Sequence, residues 1–307
     1  MPTLLITGAA GFVGSHVTRE AGRRRVELRL MSHRSPLPGF GPRVVRADLS
    51  EPASLRGVCE GVDVLIHCAS RIGGDVEANE AVNARGTAAL VEEARRAGVA
   101  RMVQLSTASV YGRGTFRGAR PGELTRSPGS PTSRTRAAAE DAVLAAGGIV
   151  LRPHLVYGEG DTWVVPGLAR MLSVLPGTVD GWPSRTSVIA VSELAGLLVA
   201  TALAPAGDLT ESVYHAAHPE PVAVDALLRA VADCAGVDRP DRDLTADQAR
   251  ALLEEQGAPA SGLDMFTTDH VFDSAPIWSD LRRTPGPGFD VEFARAAPWY
   301  RKVLNAG

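Results

Sequence analysis

The stretch LLITGAAGFVGSHV, residues 4–17, decides the fold. A short apolar run breaks into glycine at Gly8 and then resumes as GFVGSHVTREAGRRR, which has helical spacing and one polar face. This is strand, tight turn, helix. Gly8, Gly11 and Gly14 stand three apart, the spacing that lets a backbone turn sharply, a pyrophosphate approach closely and a helix pack on its strand. The anion would rest on the N-terminus of the helix.

Working outward, VELRLMSHR reads as a second strand that ends near Ser32, His33 and Arg34. A binder of NAD places an acid there for the ribose 2′-hydroxyl, whereas a binder of NADP places arginine for the 2′-phosphate. The strand end carries no acid, so the expectation is NADPH with Arg34 as its main contact, aided by His33. RVVRADLS, DVLIHCAS and ARMVQLSTASVYG read as further strands, separated by the helical stretches SLRGVCEG and EAVNARGTAALVEEARRAG. Strands alternating with helices imply an α/β fold, a Rossmann-type doubly wound parallel sheet with ligands at the strands' C-terminal ends. The dinucleotide-binding domain is expected over 1–157 plus about 184–217. A smaller, mainly C-terminal substrate-binding lobe is expected over about 158–183 plus 218–307.

Composition excludes several classes. The 307 residues are 45% hydrophobic with a net charge of −3, which argues for a globular chain and against nucleic acid as partner. No apolar run reaches the roughly 18 residues of a membrane span, and MPTLLITGAAG lacks the features of a secretion signal, so a cytoplasmic protein is expected. Cys59, Cys68 and Cys234 lack CxxC spacing, which predicts neither disulfide framework nor metal site. Lys302 is the single lysine; the other basic residues are arginines, which do not shuttle protons at workable pH.

TGAAGFVG, Asp48 in RADLS, HCAS at 67–70, NARGT at 83–87, STASVYG at 106–112, LRPHLVYGEG at 151–160 and SVIAVSELA at 187–195 resemble, in order, the landmarks of the extended short-chain dehydrogenase/reductases, the NAD-dependent epimerase/dehydratase group. The closing segment SDLRRTPGPGFDVEFARAAPWYRKV resembles that family too, so the likeness spans nearly the whole chain. It implies that Gly8, Gly11, Phe12, Val13 and Gly14 hold the pyrophosphate, that Asp48 and Leu49 flank the adenine, and that Cys68, Ala69 and Ser70 line the path to the nicotinamide. Asn83, Leu105, Pro153 and Leu155 fall on further cofactor-contacting positions. Thr107 takes the place of the family's catalytic Ser/Thr. Many relatives pair through the helices that correspond to 80–97 and 132–147, so a homodimer is also implied.

The family then places a tyrosine and a lysine four residues apart, with a glutamate four beyond the lysine. Glu140 fits that glutamate, so the pair falls on Thr132 and Arg136. The motif has not slipped elsewhere: Tyr111, Tyr157, Tyr214 and Tyr300 are followed four residues on by Thr115, Asp161, His218 and Leu304. In the resembling enzymes tyrosine moves the proton, while lysine lowers its pKa and fixes the ribose. A phenol titrates near ~10 and an aliphatic alcohol nearer ~15.7, so Thr132 as acid would cost on the order of 8 kcal/mol. Arg136 can still hold the ribose, since that role needs a donor and no deprotonation.

Three explanations follow. The chain has become a non-catalytic NADPH-binding sensor or partner protein; or another side chain, His154, Tyr111 or Tyr157, replaces the acid; or the substrate carries its own proton. A ketone flanked by a phenolic hydroxyl has that acid hydrogen-bonded to its carbonyl oxygen in advance. The last fits a chain that keeps every nucleotide-holding part and loses only the proton donor and its tuner. The exchange on an intact scaffold also resembles the atypical ketoreductases of angucyclinone antibiotic biosynthesis. The expectation is therefore an NADPH-dependent ketoreductase acting on an aromatic polyketide.

For the second lobe, RGTFRGARPGELTRSPGSP at 113–131 has neither helical nor strand period and is expected to be a binding loop, with 71–80 at the same mouth. Trp163, Trp182, Met265, Phe266 and Phe272 are expected to form an apolar slot for a flat ring system, or to fill the lobe's core. A sugar-nucleotide substrate would instead need cations for a second diphosphate, with Arg170 and Arg185 as candidates. Arg23–Arg25 read as a solvated helix end.

Overall fold

The computed structural model describes residues 1–34, 37, 39, 41–238, 242–257 and 262–305. The first half runs β1 (Thr3–Thr7), α1 (Phe12–Ala21), β2 (Glu27–Ser32), β3 (Val44–Arg46), β4 (Val64–His67), α2 (Val76–Asn79), a π-helical turn (Glu80–Arg85), α3 (Gly86–Arg96), β5 (Arg101–Leu105), β6 (Phe116–Ala119), α4 (Pro131–Ala145) and β7 (Ile149–Arg152). The second runs β8 (Leu155–Tyr157), α5 (Val164–Val174), β9 (Thr178–Val179), β10 (Arg185–Thr186), β11 (Val188–Ala190), α6 (Val191–Leu203), β12 (Val213–His215) and β13 (Val222–Ala223). It closes with α7 (Val224–Ala235), β14 (Asp243–Leu244), α8 (Ala246–Glu255), α9 (Asp264–Thr267), β15 (His270–Phe272), α10 (Ala275–Asp280) and α11 (Phe289–Leu304).

Seven parallel strands form one sheet in the order β12-β7-β5-β4-β1-β2-β3. The order reverses between β1 and β4, which opens a crevice at their C-terminal ends. The strands are apolar runs because both faces are covered. On one face Val17 and Ala21 of α1 pack with Leu194, Leu197 and Leu198 of α6 against Leu4 and Ile6. On the other, Leu90 and Val91 of α3 and Val143 of α4 pack against Leu5 and Leu65. The α/β doubly wound sheet is as expected. The second lobe has its own core, built on α5, α7, α8 and α11 with Trp182, Phe289, Phe293 and Tyr300. Leu155, Tyr157, Val188 and Ala190 of the paired strands β8 and β11 pack in that core; residue 157 is the last of β8, and residue 184 lies just before β10.

Two sequence expectations change. SLRGVCEG is no α-helix: a short 3-10 turn, Pro52–Leu55, gives way to turns, with Gly57 at φ 83°. The 113–131 segment contains a strand, β6, that pairs with β15 some 150 residues later. Its period is invisible locally because its partner is remote.

A candidate dinucleotide cleft and an apolar substrate slot

At the C-terminal ends of β1 and β4 lies a cavity of about 450 Å³. Gly8 and Gly11 line it from the first turn, His33, Arg34, Asp48 and Leu49 from the ends of β2 and β3, and Cys68, Ala69 and Ser70 from the end of β4. The glycines are required by close approach. A Cβ on Gly14 would stand 2.0 Å from the Gly8 carbonyl oxygen, and one on Gly8 would stand 2.7 Å from the Ala69 nitrogen. Gly11 leaves the start of α1 without a side-chain cap, so its first amides are open to an anion. These features fit a bound dinucleotide, with the pyrophosphate over Gly8–Gly11.

The remaining predicted contacts divide. Gly14 is buried beneath the turn, Val13 packs on the sheet core, and Phe12 faces Gly160, whose added Cβ would lie 3.2 Å from its ring. Asn83 is buried and shapes the wall indirectly, exchanging hydrogen bonds with the Arg71 backbone at 2.7 and 2.9 Å. Leu105 offers its carbonyl to Arg136, and the Pro153 carbonyl accepts from the Ala108 amide at 2.8 Å. Met31, Ala47, Arg71 and Val82 also line the cavity and were not singled out from the sequence.

His33 Nε2 lies 2.8 Å from Asp48 Oδ2, and Arg34 Nε stands 3.2 Å from the same histidine nitrogen. Burial alone would raise the Asp48 carboxyl, but Ser50's hydroxyl and amide, then the charges of His33 and Arg34, hold it below the usual range. Asp48 is thereby committed to its neighbours.

Thr132 and Arg136 sit on α4, and Arg136 reaches Ser70 in the wall of this cleft. Thr132 Oγ1 accepts from the Gly73 amide at 3.1 Å and donates to Asn79 Oδ1 at 3.3 Å. Arg136, buried, donates to the Leu105 carbonyl at 2.6 Å and to Ser70 Oγ at 3.3 Å. Burial lowers its pKa to about 10, against the opposing pull of Glu140 and Cys68, so the guanidinium stays charged at neutral pH. Beneath it Glu140 is fully buried and binds Arg152 through two hydrogen bonds, 2.9 and 2.5 Å, as well as Ser106. Arg152 donates to Tyr111 Oη at 2.7 Å, and Tyr111 meets His215 Nε2 at 2.7 Å.

The candidate substitute acids are each engaged or packed. Tyr111 is bound between Arg152 and His215, and burial raises its pKa despite the arginine. Tyr157 is packed in the second lobe's core with its pKa also raised by burial. His154 stacks on His270 at 5.3 Å, and burial, followed by the charges of His270 and His215, lowers it to about 3. It is neutral at pH 7 and no proton donor of useful acidity.

Thr107, Ser109, His154 and Phe272 line a second cavity, of about 200 Å³. Thr107 Oγ1 donates to Ser109 Oγ at 3.0 Å, a hydroxyl pair that sequence reading did not foresee. Leu155 and Met265 are shared with a larger apolar slot of about 450 Å³ that Trp163, Phe266 and Arg170 also line. Of the five expected slot residues, Trp163, Met265 and Phe266 line it and Phe272 lines the smaller chamber. Trp182 does not: it is buried in the lobe's core. The residue that sets Trp163 was also missed. Asp161, buried, accepts from the amides of Trp163, Val164 and Val165 at 2.8 Å each and from Tyr300 Oη at 3.0 Å.

Comparison with known proteins fits this geometry. The model of the NAD dependent epimerase/dehydratase family matches residues 4–200. The chain belongs to that family. It is 29% identical over 316 aligned residues to a 2-alkyl-3-oxoalkanoate reductase of Stenotrophomonas maltophilia (strain K279a), covering 92% of this chain and 94% of the relative. It is 34% identical over 247 residues to a dTDP-4-dehydrorhamnose reductase of Mycobacterium tuberculosis (strain ATCC 25618 / H37Rv), covering 76% of each. Among solved structures, MoeE5 in complex with UDP-glucuronic acid and NAD is similar with a TM-score of 0.76 and 25% identity, over 98% of this chain and 100% of that one. Among the described residues no helix is long and apolar enough to cross a membrane, and no group of three or more His, Cys, Asp or Glu could hold a metal ion.

Proposed function

We propose that this family member is an NADPH-dependent ketoreductase acting on a polycyclic aromatic ketone whose own neighbouring hydroxyl supplies the proton. The observation that carries the reading is Thr132. Its hydroxyl is committed to the Gly73 amide and to Asn79, while Arg136 keeps its charge at the buried end of the cleft. Arg34, with His33 beside it, would receive the 2′-phosphate. Gly8 and Gly11 would receive the pyrophosphate, and Arg136 the nicotinamide ribose. When bound, the dinucleotide supplies the hydride.

The chain's own residues would then orient and exclude water. Thr107 and Ser109 offer hydroxyls at the inner chamber, where a carbonyl oxygen gaining negative charge can accept a hydrogen bond. The apolar slot behind Leu155 and Met265 takes the flat remainder. A phenol peri to the carbonyl gives its proton to the nascent alkoxide and is reprotonated by water. The two relatives bear reductase names, which supports the reaction class. A sugar-nucleotide substrate is less well served: Arg170 borders the slot, but the Arg185 guanidinium is engaged with the Pro221 carbonyl.

The test is turnover of 8-hydroxy-1-tetralone and of its 8-methoxy ether, followed by loss of reduced-cofactor absorbance. The phenol should be reduced at least a hundredfold faster than the ether, the effect of removing a positioned proton donor. Equal rates would sink the substrate-assisted proton. Tight NADPH binding with no turnover of any aromatic ketone would leave a binding protein.

A further inference from the structure

Position 132 has a different use from proton transfer. Thr132 Oγ1 accepts from Gly73 N at 3.1 Å and donates to Asn79 Oδ1 at 3.3 Å. Asn79 is fully buried, and its Nδ2 donates to the carbonyls of Gly73 and Asp75 at 2.8 and 2.9 Å. Gly73 and Gly74 both have positive φ, 69° and 78°, so the loop turns where side chains are disfavoured. These bonds give the 71–79 loop one shape. Within it, Ile72 and Val76 are 49% and 57% exposed.

The second lobe meets the loop with one aromatic side chain. A Cβ on Gly73 would stand 3.8 Å from Trp163 Cη2, at van der Waals distance, so the indole lies beside the loop with room for little more than a methyl group between them. Trp163 is 59% exposed and also lines the apolar slot, and Asp161 fixes its backbone from below. Gly73 and Trp163 therefore meet at the mouth of the slot, held from the first lobe by Thr132 and from the second by Asp161.

We infer that Thr132 is a positioning residue: it clamps the 71–79 loop so that this mouth grips the distal rings of an extended, planar, apolar substrate, and thereby selects for polycyclic over bicyclic ketones. The inference rests on the ketoreductase reading for its substrate, but the clamp is measurable without turnover. A tyrosine at 132 could not make the same short hydroxyl contacts with Gly73 and Asn79. A bicyclic ketone fills the inner chamber and does not reach the mouth, whereas a tetracyclic one spans the chamber and the slot.

The experiment compares Thr132→Ala and Thr132→Ser in the full chain. In Thr132→Ala the Gly73 amide should exchange its hydrogen about tenfold faster, and the preference in kcat/KM for a tetracyclic benz[a]anthracene ketone with a peri hydroxyl over 8-hydroxy-1-tetralone should fall about tenfold, mostly through KM. Thr132→Ser should restore both. A fall in kcat of several orders of magnitude for both ketones would make Thr132 an acid and overturn the inference, as would unchanged exchange at Gly73. If neither ketone is reduced, the ketoreductase reading fails separately. The clamp is then judged by quenching of indole fluorescence with 1,8-dihydroxyanthraquinone: binding about tenfold weaker in Thr132→Ala supports it, and equal binding overturns it.

Discussion

The two walls of one cleft differ in how far they may vary. The nucleotide wall is backbone: Gly8, Gly11 and Gly14 leave room that no side chain could share, and a Cβ on Gly14 would fall 2.0 Å from a carbonyl oxygen. The wall that the proposed substrate would meet is side chains, and Thr132 and Arg136 on α4 beside it bond to Gly73 and Leu105. Recognition of a pyrophosphate by bare amides allows no substitution, whereas donation of a proton is a role that a substrate can take over.

The comparison breaks first if the backbone wall proves tolerant. Gly14→Ala should weaken dinucleotide binding by at least a hundredfold, since the turn must open to relieve the contact. Titration of intrinsic fluorescence with NADPH measures it, beside a thermal melt that shows whether the variant still folds. Affinity within threefold of the parent would mean that the pyrophosphate does not lie on this turn.

The next effect concerns the rim of the same wall. Arg34→Glu should weaken NADPH by about thirtyfold to a hundredfold and NADH far less, because a charge-assisted pair to phosphate is lost and a repulsion added. Equal losses for both nucleotides would remove the basis for NADPH preference and leave His33, already 2.8 Å from Asp48, as part of a ribose-binding pair.

How much of this was legible differs between the walls for the same reason. The glycine turn, the strand alternation and the order of landmarks are local patterns, so the sheet and many of the residues that line the cavity at its switch point could be read directly. Strand β6 could not, because residues 116–119 take their conformation from β15 at 270–272. SLRGVCEG has helical spacing, yet Gly57 at positive φ ends the turn. The contacts of Thr132 were not readable, since Gly73 and Asn79 lie 59 and 53 residues away. Trp182 and Trp163 look alike in sequence; only Trp163 follows a buried aspartate that caps α5 at the cleft mouth.

The smallest effect expected is in the pH dependence of the rate. His154 titrates near 3 and Arg136 near 10, and burial raises the Tyr111 hydroxyl, so none of these cleft-side groups should change charge between pH 6 and 8.5. With a peri-hydroxy ketone, kcat should vary by less than about threefold over that range, declining only where the substrate's phenol or Arg136 loses its proton. Stability should behave otherwise. His154, His215 and His67 have folded pKa values lowered to about 3, 4 and 4, mainly by burial, so the unfolded chain binds more protons below 6.5. Their contribution is complete above that pH and is lost as pH falls toward 4, by up to about 1.4 kcal/mol per pH unit for each histidine. Urea midpoints measured at pH 7.5, 6 and 5 should therefore drop while kcat at pH 7.5 and 6 stays level. A rate that instead rises and falls around a protein pKa near 7 would place an unrecognised acid on the substrate wall and end the distinction between the two.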